Sequence, residues 1–199
     1  TWKQNGKLPG FTGTAVDQSV LSTYEQPEIK DSVYQIANKS QFFWFAEYVN
    51  FTDTGVDAVL VNDIDLANEE WVPIGYFGNS YSGTFDGQGY SITNFKMTIT
   101  GTRGVGLFGD ITNATVGNFN VYGEASMNYS FRQPSFYGVV GASNASTLNG
   151  IKSYVNLTVN DSYIKNNVAG IVGYISTSTI EKCAFYGTID LGNAPIDCG

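Results

Sequence analysis

A 32-residue repeat is the sequence feature that most constrains the fold of this chain. A Gly-x-x-Gly tetrapeptide begins at Gly106 and recurs at Gly138 and Gly170, and the register then continues without a gap. A constant period of this size indicates stacked units in which each copy covers the apolar face of its neighbour. Similar residues fall into columns: Val116, Leu148, Ile180; Phe119, Ile151, Cys183; Tyr122, Tyr154, Tyr186; Ala125, Leu157, Ile189; Met127, Val159, Leu191.

Each copy consists of short runs of β-branched and aromatic residues separated by Gly, Asn and Ser, which is typical of strands and turns. No copy carries a 3.6-residue apolar period long enough for a helix. We therefore predict an all-β fold, a parallel β-helix whose coils lie about 4.8 Å apart. The glycines are expected at corners that need a positive φ or where backbones approach closely. The alternative is an antiparallel β-sandwich with coincidental repeats.

The segment before the repeats contains one predicted helix. Ser40 is expected to cap it, and it should end near Asn50. The apolar stripe at helical spacing consists of Phe42, Phe43, Phe45, Ala46 and Val49. A β-helix leaves an unpaired strand edge at each end. We therefore predict that this N-terminal amphipathic helix caps the first coil, and the alternative is a helix that binds a partner.

These patterns divide the chain into three parts. Residues 1–33 are an irregular lead-in, residues 34–57 a strand followed by the capping helix, and residues 58–199 the β-helix. The repeats are predicted at about 104–135, 136–167 and 168–199.

Charge and hydropathy exclude some partners. The net charge is −8, from 10 basic and 18 acidic residues, and the basic residues form no cluster. Binding to nucleic acid or to an anionic membrane is therefore not expected. No apolar run approaches the roughly 18 residues that a membrane-spanning helix needs, so direct membrane insertion is not expected either.

The absence of histidine excludes several classes of catalytic site. With no His in the sequence, Ser-His-Asp and Cys-His nucleophilic sites are excluded, as is the His-Glu-x-x-His zinc motif. Two cysteines without histidine do not form an ordinary zinc site. No glycine-rich phosphate loop is present. We therefore predict that the protein is not an enzyme.

Carboxylates and aromatic residues are the remaining candidates. Glycoside hydrolysis needs two facing acids, and the candidates are Asp63, Asp65, Asp86 and Asp110. Asp63 and Asp65 would face the same side of a strand and are candidate ligands for calcium, the one cofactor that the residues suggest. The alternative is that Asp86 closes a turn while Asp63 and Asp65 cap strand ends or face water.

Aromatic residues crowd two stretches outside the columns. Trp71, Tyr76, Phe77 and Tyr81 are the predicted ligand-binding residues, because exposed aromatic faces stack on sugars or anchor protein partners. The alternative is that such rings lie in the core, and the tyrosine column is expected to be a structural stack. A second cluster consists of Tyr129, Phe131, Phe136 and Tyr137.

Two cysteines and several sequons bear on the cellular compartment. Cys183 and Cys198 could form a disulfide that staples the last coil, as in a secreted protein. Alternatively, Cys183 is a small buried hydrophobe and Cys198 an unrelated thiol. Asn-x-Ser/Thr sequons would accept glycans in a eukaryotic secretory protein; they begin at Asn38, Asn50, Asn113, Asn128, Asn144, Asn156 and Asn160.

The order of motifs from about Tyr34 to Leu191 resembles bacterial surface proteins with GLUG-type repeats. The motifs are Asn-Asp-Ile-Asp-Leu at 62–66, Trp-Val-Pro-Ile-Gly at 71–75, Gly-Thr-Phe-Asp-Gly-Gln-Gly at 83–89, and the Gly-Leu-Phe-Gly head at 106–109. Copies two and three depart from the pattern with Val in place of Phe. Such repeats occur in adhesin-like proteins and beside the catalytic part of immunoglobulin-A-cleaving metallopeptidases.

The resemblance implies a right-handed, pectin-lyase-like β-helix at the bacterial cell surface. We therefore expect a secreted, non-catalytic module of a larger multidomain chain, acting in adhesion to a host or cell-surface protein or glycan, or as a rigid spacer. The alternative is a carbohydrate-active enzyme or a glycan-binding module on the same fold.

Overall fold

The structure is a computed structural model that describes residues 7–9, 15–17, 23–99, 105–127, 136–159 and 167–192. Within these residues, one helix and eighteen short or medium strands follow one another. In order they are β1 (Lys7–Pro9), β2 (Ala15–Asp17), β3 (Glu28–Lys30), β4 (Val33–Ile36), α1 (Lys39–Phe51), β5 (Asp57–Leu60), β6 (Ile64–Asp65), β7 (Thr84–Asp86), β8 (Ser91–Ile99), β9 (Phe108–Thr112), β10 (Thr115–Met127), β11 (Phe136–Tyr137), β12 (Val140–Asn144), β13 (Thr147–Val159), β14 (Asn167–Val168), β15 (Val172–Ser176), β16 (Thr179–Glu181), β17 (Ala184–Phe185) and β18 (Ile189–Asp190).

The repeats stack as a β-solenoid of about three turns. β10 pairs in parallel with β13 along its length, and β13 pairs in parallel with β16, β17 and β18 of the last turn. Phe119 lies beside Ile151, and the pairing of Lys152 with Ala184 places Cys183 next in the same file. The predicted columns are confirmed, and the antiparallel sandwich is wrong.

The other sides of the coil repeat the same parallel order. β9, β12 and β15 form one three-stranded sheet. The earlier strands β4, β5 and β7 lead in parallel steps to β10, so shorter turns precede the regular ones. β3 is antiparallel to β4 at the start of this sheet.

The glycines of the Gly-x-x-Gly heads lie where atoms of neighbouring segments approach the backbone closely. A Cβ at Gly106 would lie 2.1 Å from the carbonyl oxygen of Gly138, and one at Gly170 would lie 2.2 Å from the Phe185 ring. The left-handed corners are instead two other columns, each with a positive φ in all three copies. These columns are Asn118 (58°), Gly150 (67°), Lys182 (53°) and Asn113 (56°), Ala145 (47°), Thr177 (50°).

α1 packs its aromatic face into the core. Phe42 stacks on Trp71 with ring centroids 4.8 Å apart, and Phe45 lies against Phe85 at 6.1 Å. Phe42 and Phe45 are fully buried together with Val49. Burial of these rings against the first turns stabilises the helix, since a short helix is marginal by itself.

The residue that caps α1 differs from the prediction. Asn38, whose φ is −154°, is the N-cap, and its side chain accepts a hydrogen bond from the Gln41 amide at 3.0 Å. Ser40 instead lies inside the first turn of the helix, where its hydroxyl accepts from the Glu25 amide at 2.8 Å. Asn and Ser are comparable as caps, so residue type alone did not decide between two positions so close together. The helix ends at Phe51, one residue beyond the predicted end.

No helix among the described residues is both long enough and apolar enough to cross a membrane.

Candidate ligand-binding site

The four predicted ligand-binding aromatics do not share one surface. Trp71 is buried, and its indole Nε1 donates to the carbonyl oxygen of Leu107 at 3.0 Å. Tyr81 is fully buried, and its hydroxyl donates to the carbonyl of Val56 at 2.9 Å. Both polar tips are satisfied by backbone, as buried Trp and Tyr require. Their faces are closed to solvent in this structure, whereas Tyr76 and Phe77 are exposed.

Tyr76 and Phe77 lie on a tight turn. The Tyr76 amide donates to the Asn79 carbonyl at 3.2 Å, and the Asn79 amide donates back at 2.7 Å. Gly78 has a φ of 90°, the value that the third residue of a type II turn adopts and that only glycine reaches without strain. Phe77, at the second position, is therefore held at the tip of the turn, where 65% of its surface is exposed.

A buried asparagine fastens this turn to the end of α1. The Asn50 side chain donates to the Pro73 carbonyl at 2.9 Å and accepts from the Gly75 amide at 2.8 Å. The Asn50 carbonyl in turn accepts from the Asn79 side chain at 2.8 Å. Three hydrogen bonds therefore bind the loop to the helix, and such support is what a ligand site on a loop needs to keep its geometry.

Between the turn and the helix end lies an open groove, which we call the aromatic groove. Its lining consists of residues 49–54 and 76–79. Phe51 borders it with 81% of its surface exposed, as does Tyr76 with 45%. Asp53, Thr54 and Asn79 add polar groups to the same lining. Phe51 was not among the residues predicted from the sequence, although an aromatic residue at the last position of a helix, outside its buried stripe, indicates an exposed ring.

Two of the candidate carboxylates, Asp63 and Asp65, lie at β6 and bond to the segment around β8. Asp63 accepts from the Ser91 amide at 2.8 Å, and Asp65 accepts from the Ala67 amide and from the Asn94 side chain, both at 2.7 Å. The Asn94 hydrogen bond, together with that from Ala67, lowers the pKa of Asp65. Both side chains are exposed and hydrogen-bond to neighbouring segments, which agrees with the alternative hypothesis that they cap strand ends or face water. A calcium role for them stays a prediction.

The other two carboxylates are also engaged. Asp86 accepts from the Gln88 amide at 2.9 Å, which is the predicted turn, and from the Asn118 side chain at 3.1 Å. Asp110 accepts from the Ser80 hydroxyl at 2.8 Å, and burial raises the pKa of its carboxyl. Within the described residues, no cluster of three or more His, Cys, Asp or Glu could hold a metal ion.

The tyrosine column is a continuous stack. The ring centroids of Tyr122 and Tyr154 are 4.4 Å apart at 8°, and those of Tyr154 and Tyr186 are 4.9 Å apart at 18°. Because each tyrosine ring face meets the next, the column offers ring edges to a ligand along most of its length. This geometry supports the structural role predicted for it.

Several predicted features lie partly outside the described residues. The Cys183 thiol, half-buried with a pKa raised by burial, donates to the Glu181 carbonyl at 3.3 Å. Cys198 lies outside the described residues, so the disulfide stays a prediction. Tyr129 and Phe131 also lie outside them, while Tyr137 is buried.

The sequons differ in accessibility. The side chain of Asn50 is buried in the contacts described above, which closes it to a glycan in the folded protein. Asn113, Asn144 and Asn156 are exposed. Asn128 and Asn160 lie outside the described residues.

Comparison with known proteins supports the fold. No protein-family model matches the chain. A protein from Evansella cellulosilytica that is named a Gly-rich membrane protein is 37% identical over 82 residues, which cover 38% of this chain and 10% of that protein. A crystal structure of a Bacteroides ovatus protein that carries the name of an immunoglobulin A1 protease matches with a TM-score of 0.55 and 20% identity, over 82% of this chain and 60% of that one. This chain therefore spans less than two thirds of each protein, and the structural likeness shows the fold alone.

Proposed function

We propose that this chain is a non-catalytic β-solenoid module of a bacterial cell-surface protein and that it acts in adhesion by binding a saccharide in the aromatic groove. Two names support the setting: the sequence relative is called a membrane protein and the structural neighbour an immunoglobulin A1 protease. The proposal includes a right-handed coil of GLUG-type repeats, with α1 as its cap and an extracellular location.

One observation carries the saccharide-binding role. Phe51, Tyr76 and Phe77 expose aromatic surface around one groove whose lining also holds a carboxylate, a side-chain amide and a hydroxyl. Aromatic surface packs against the apolar faces of sugar rings, and the polar groups satisfy the hydroxyls around them. A site of this composition suits a neutral saccharide better than a flat apolar protein surface.

The non-catalytic part of the proposal has its own support. The sequence contains no histidine, and the four candidate carboxylates are used in hydrogen bonds within the fold. A glycoside hydrolase needs one carboxyl free to protonate the leaving oxygen and a second facing it. Incubation with a panel of labelled oligosaccharides should therefore release no shorter products.

The test is a glycan array followed by titration calorimetry with the best neutral oligosaccharide. Phe77→Ala and Tyr76→Ala should each weaken binding about tenfold, the loss expected when an aromatic anchor is truncated. Tyr186→Ala is the matched control, since it removes an aromatic side chain that is 60% exposed on another face. Wild-type affinity in both groove variants would overturn the saccharide site. No saccharide binding at all would leave the rigid-spacer role as the better account.

A further inference from the structure

A second groove lies on the side of the repeats and is lined by two lysines and three side-chain amides. Its polar lining includes Gln88, Asn118, Asn120, Lys152 and Lys182. We call it the lysine groove. None of its residues lines the aromatic groove, so it is independent of the function proposed above.

One position of the repeat that lines the groove carries no side chain. Gly150 lies in the left-handed corner column between Asn118 and Lys182, which carry long polar side chains at the equivalent positions. A Cβ at Gly150 would lie 2.8 Å from Oδ1 of Asn118. The Asn118 side chain therefore lies over Gly150, in space that a side chain at residue 150 would take.

The two lysines have no acidic partner in the part of the chain that the structure describes. The salt bridges found there are Lys39 with Glu69 and Lys96 with Glu70. Lys152 and Lys182 are exposed and belong to neighbouring turns. These two ammonium groups, which have no acidic partner among the described residues, lie around one groove of a chain with a net charge of −8, and together they favour an anionic ligand.

The one carboxylate in the lining is already engaged. Asp86 accepts hydrogen bonds from the Gln88 amide at 2.9 Å and from the Asn118 side chain at 3.1 Å. These two donors disperse part of its charge within the turn. The side-chain Oδ1 of Asn118 and the Gln88 side chain can then meet hydroxyl groups, which both donate and accept. Asn120 donates through Nδ2 to the Ser91 hydroxyl at 3.3 Å, and its Oδ1 can accept from a ligand hydroxyl.

We propose that the lysine groove binds an anionic saccharide, with Lys152 and Lys182 contacting its acidic group and the amides contacting its hydroxyls. Ammonium groups form charge-assisted hydrogen bonds to carboxylate and to sulfate oxygens alike. The amides supply the sugar recognition that a simple ion-exchange surface lacks.

The experiment is titration calorimetry of the full chain with three probes: an oligogalacturonate, a heparin oligosaccharide and a neutral oligogalactoside of matched length. The neutral probe reports on the aromatic groove, so removal of the two lysines should leave its affinity unchanged. The wild type should bind at least one anionic probe. The double variant K152Q/K182Q should lose at least tenfold in affinity for that probe, because it removes both charges while keeping most of the side-chain volume. The carboxylated and sulfated probes distinguish the two sources of the anionic group.

Two controls separate this site from its alternatives. Lys96→Gln removes a lysine elsewhere on the surface, and Phe77→Ala disrupts the aromatic groove; both should retain wild-type affinity for the anionic probe. Equal weakening by Lys96→Gln would mean non-specific charge attraction and would overturn the proposal, as would unchanged binding by K152Q/K182Q or no binding of either anionic probe. Failure of the aromatic groove alone would show only in the neutral saccharide titration of Phe77→Ala.

Discussion

The first and last described turns of the solenoid are built from the same kind of strand, yet they are buried very differently. At the first turn, β4 is covered by antiparallel β3 on one side and by β5 on the other, and α1 fills the interior with fully buried Phe42 and Phe45. In the last turn, each of β16, β17 and β18 pairs with β13 alone among the described strands.

The consequence is visible within single columns. Leu148 is fully buried in the middle of its column, whereas Ile180 in the last turn has 39% of its surface exposed. A repeat protein derives stability from the interface between neighbouring turns, so a turn with one neighbour is less stable than a turn with two. We therefore expect the last turn to open first and the turns against which α1 packs to open with the whole molecule.

The largest loss of stability should come from removing an aromatic ring where α1 packs into the core. Phe45→Ala removes a fully buried ring that contacts Tyr34, Tyr81 and Phe85, and it should lower the free energy of unfolding by about 3–5 kcal/mol. Phe51→Ala, on the same helix but exposed, should change it by less than about 0.5 kcal/mol. Urea denaturation followed by circular dichroism measures both, and similar losses would contradict the buried packing of α1.

The next effect compares two positions of one column. Leu148→Ala should cost about 2–5 kcal/mol because it leaves a cavity between two turns. Ile180→Ala should cost about 1 kcal/mol, since much of the side chain is already in water. Urea denaturation again measures both. A loss at Ile180 as large as that at Leu148 would show that the last turn is covered in solution.

The period is what made the fold predictable. A column such as Phe119, Ile151 and Cys183 can be read from sequence because one 32-residue spacing fixes every strand pair between β10, β13 and the last turn. The corners were less accessible, because Ala145 and Lys182 give no local signal of a positive φ. Their conformation is imposed by the neighbouring turns.

Only part of the ligand site could be predicted, because exposed and buried aromatic residues cannot be distinguished from the local sequence. Trp71 and Tyr76 look alike in sequence, as aromatic residues in a Gly-rich stretch. Whether each points inward depends on α1, which is distant in sequence and supplies Phe42 as the stacking partner of Trp71. The three hydrogen bonds at Asn50 could not be predicted for the same reason, since its partners are 23 to 29 residues away.

Alkaline pH should act through buried tyrosines, Tyr34 and Tyr81 beside α1 and Tyr137 in the repeats. Burial raises the pKa of Tyr34 to about 12 and raises that of Tyr81 further. Above pH 10, the ordinary pKa of the group, the unfolded chain loses these protons while the folded chain keeps them. The free energy of unfolding should therefore fall as pH rises above 10, by about 1.4 kcal/mol per pH unit for each such tyrosine.

Tyr81→Phe should remove one such contribution to the slope between pH 10 and pH 11.5, measured by urea denaturation at a series of pH values. Its loss of the hydrogen bond to Val56 lowers stability at pH 7 by about 1 kcal/mol, but that change does not depend on pH. Tyr186→Phe, at an exposed position of the last turn, is the matched control. An unaltered slope in Tyr81→Phe would mean that its hydroxyl reaches water.

A smaller effect distinguishes the two candidate caps of α1. Asn38→Ala removes the side-chain acceptor for the Gln41 amide and should cost about 1 kcal/mol. Ser40→Ala keeps that cap and should cost less, because its bond to the Glu25 amide is exposed. Thermal and urea denaturation of both variants measure the order, and a greater loss in Ser40→Ala would restore the cap predicted from sequence.

The smallest loss of stability is expected within the tyrosine column. It tests whether position in the stack also matters for rings at the surface. Tyr154 stacks on rings of both neighbouring turns, whereas Tyr186 stacks on Tyr154. Aromatic pairs contribute about 0.5–1.5 kcal/mol beyond buried area, and exposure brings these pairs to the low end. Tyr154→Ala should therefore cost about 1 kcal/mol and Tyr186→Ala about half as much. If the two losses were equal, the end of this column would be as well supported as its middle, and the contrast between the two ends of the solenoid would be confined to its interior.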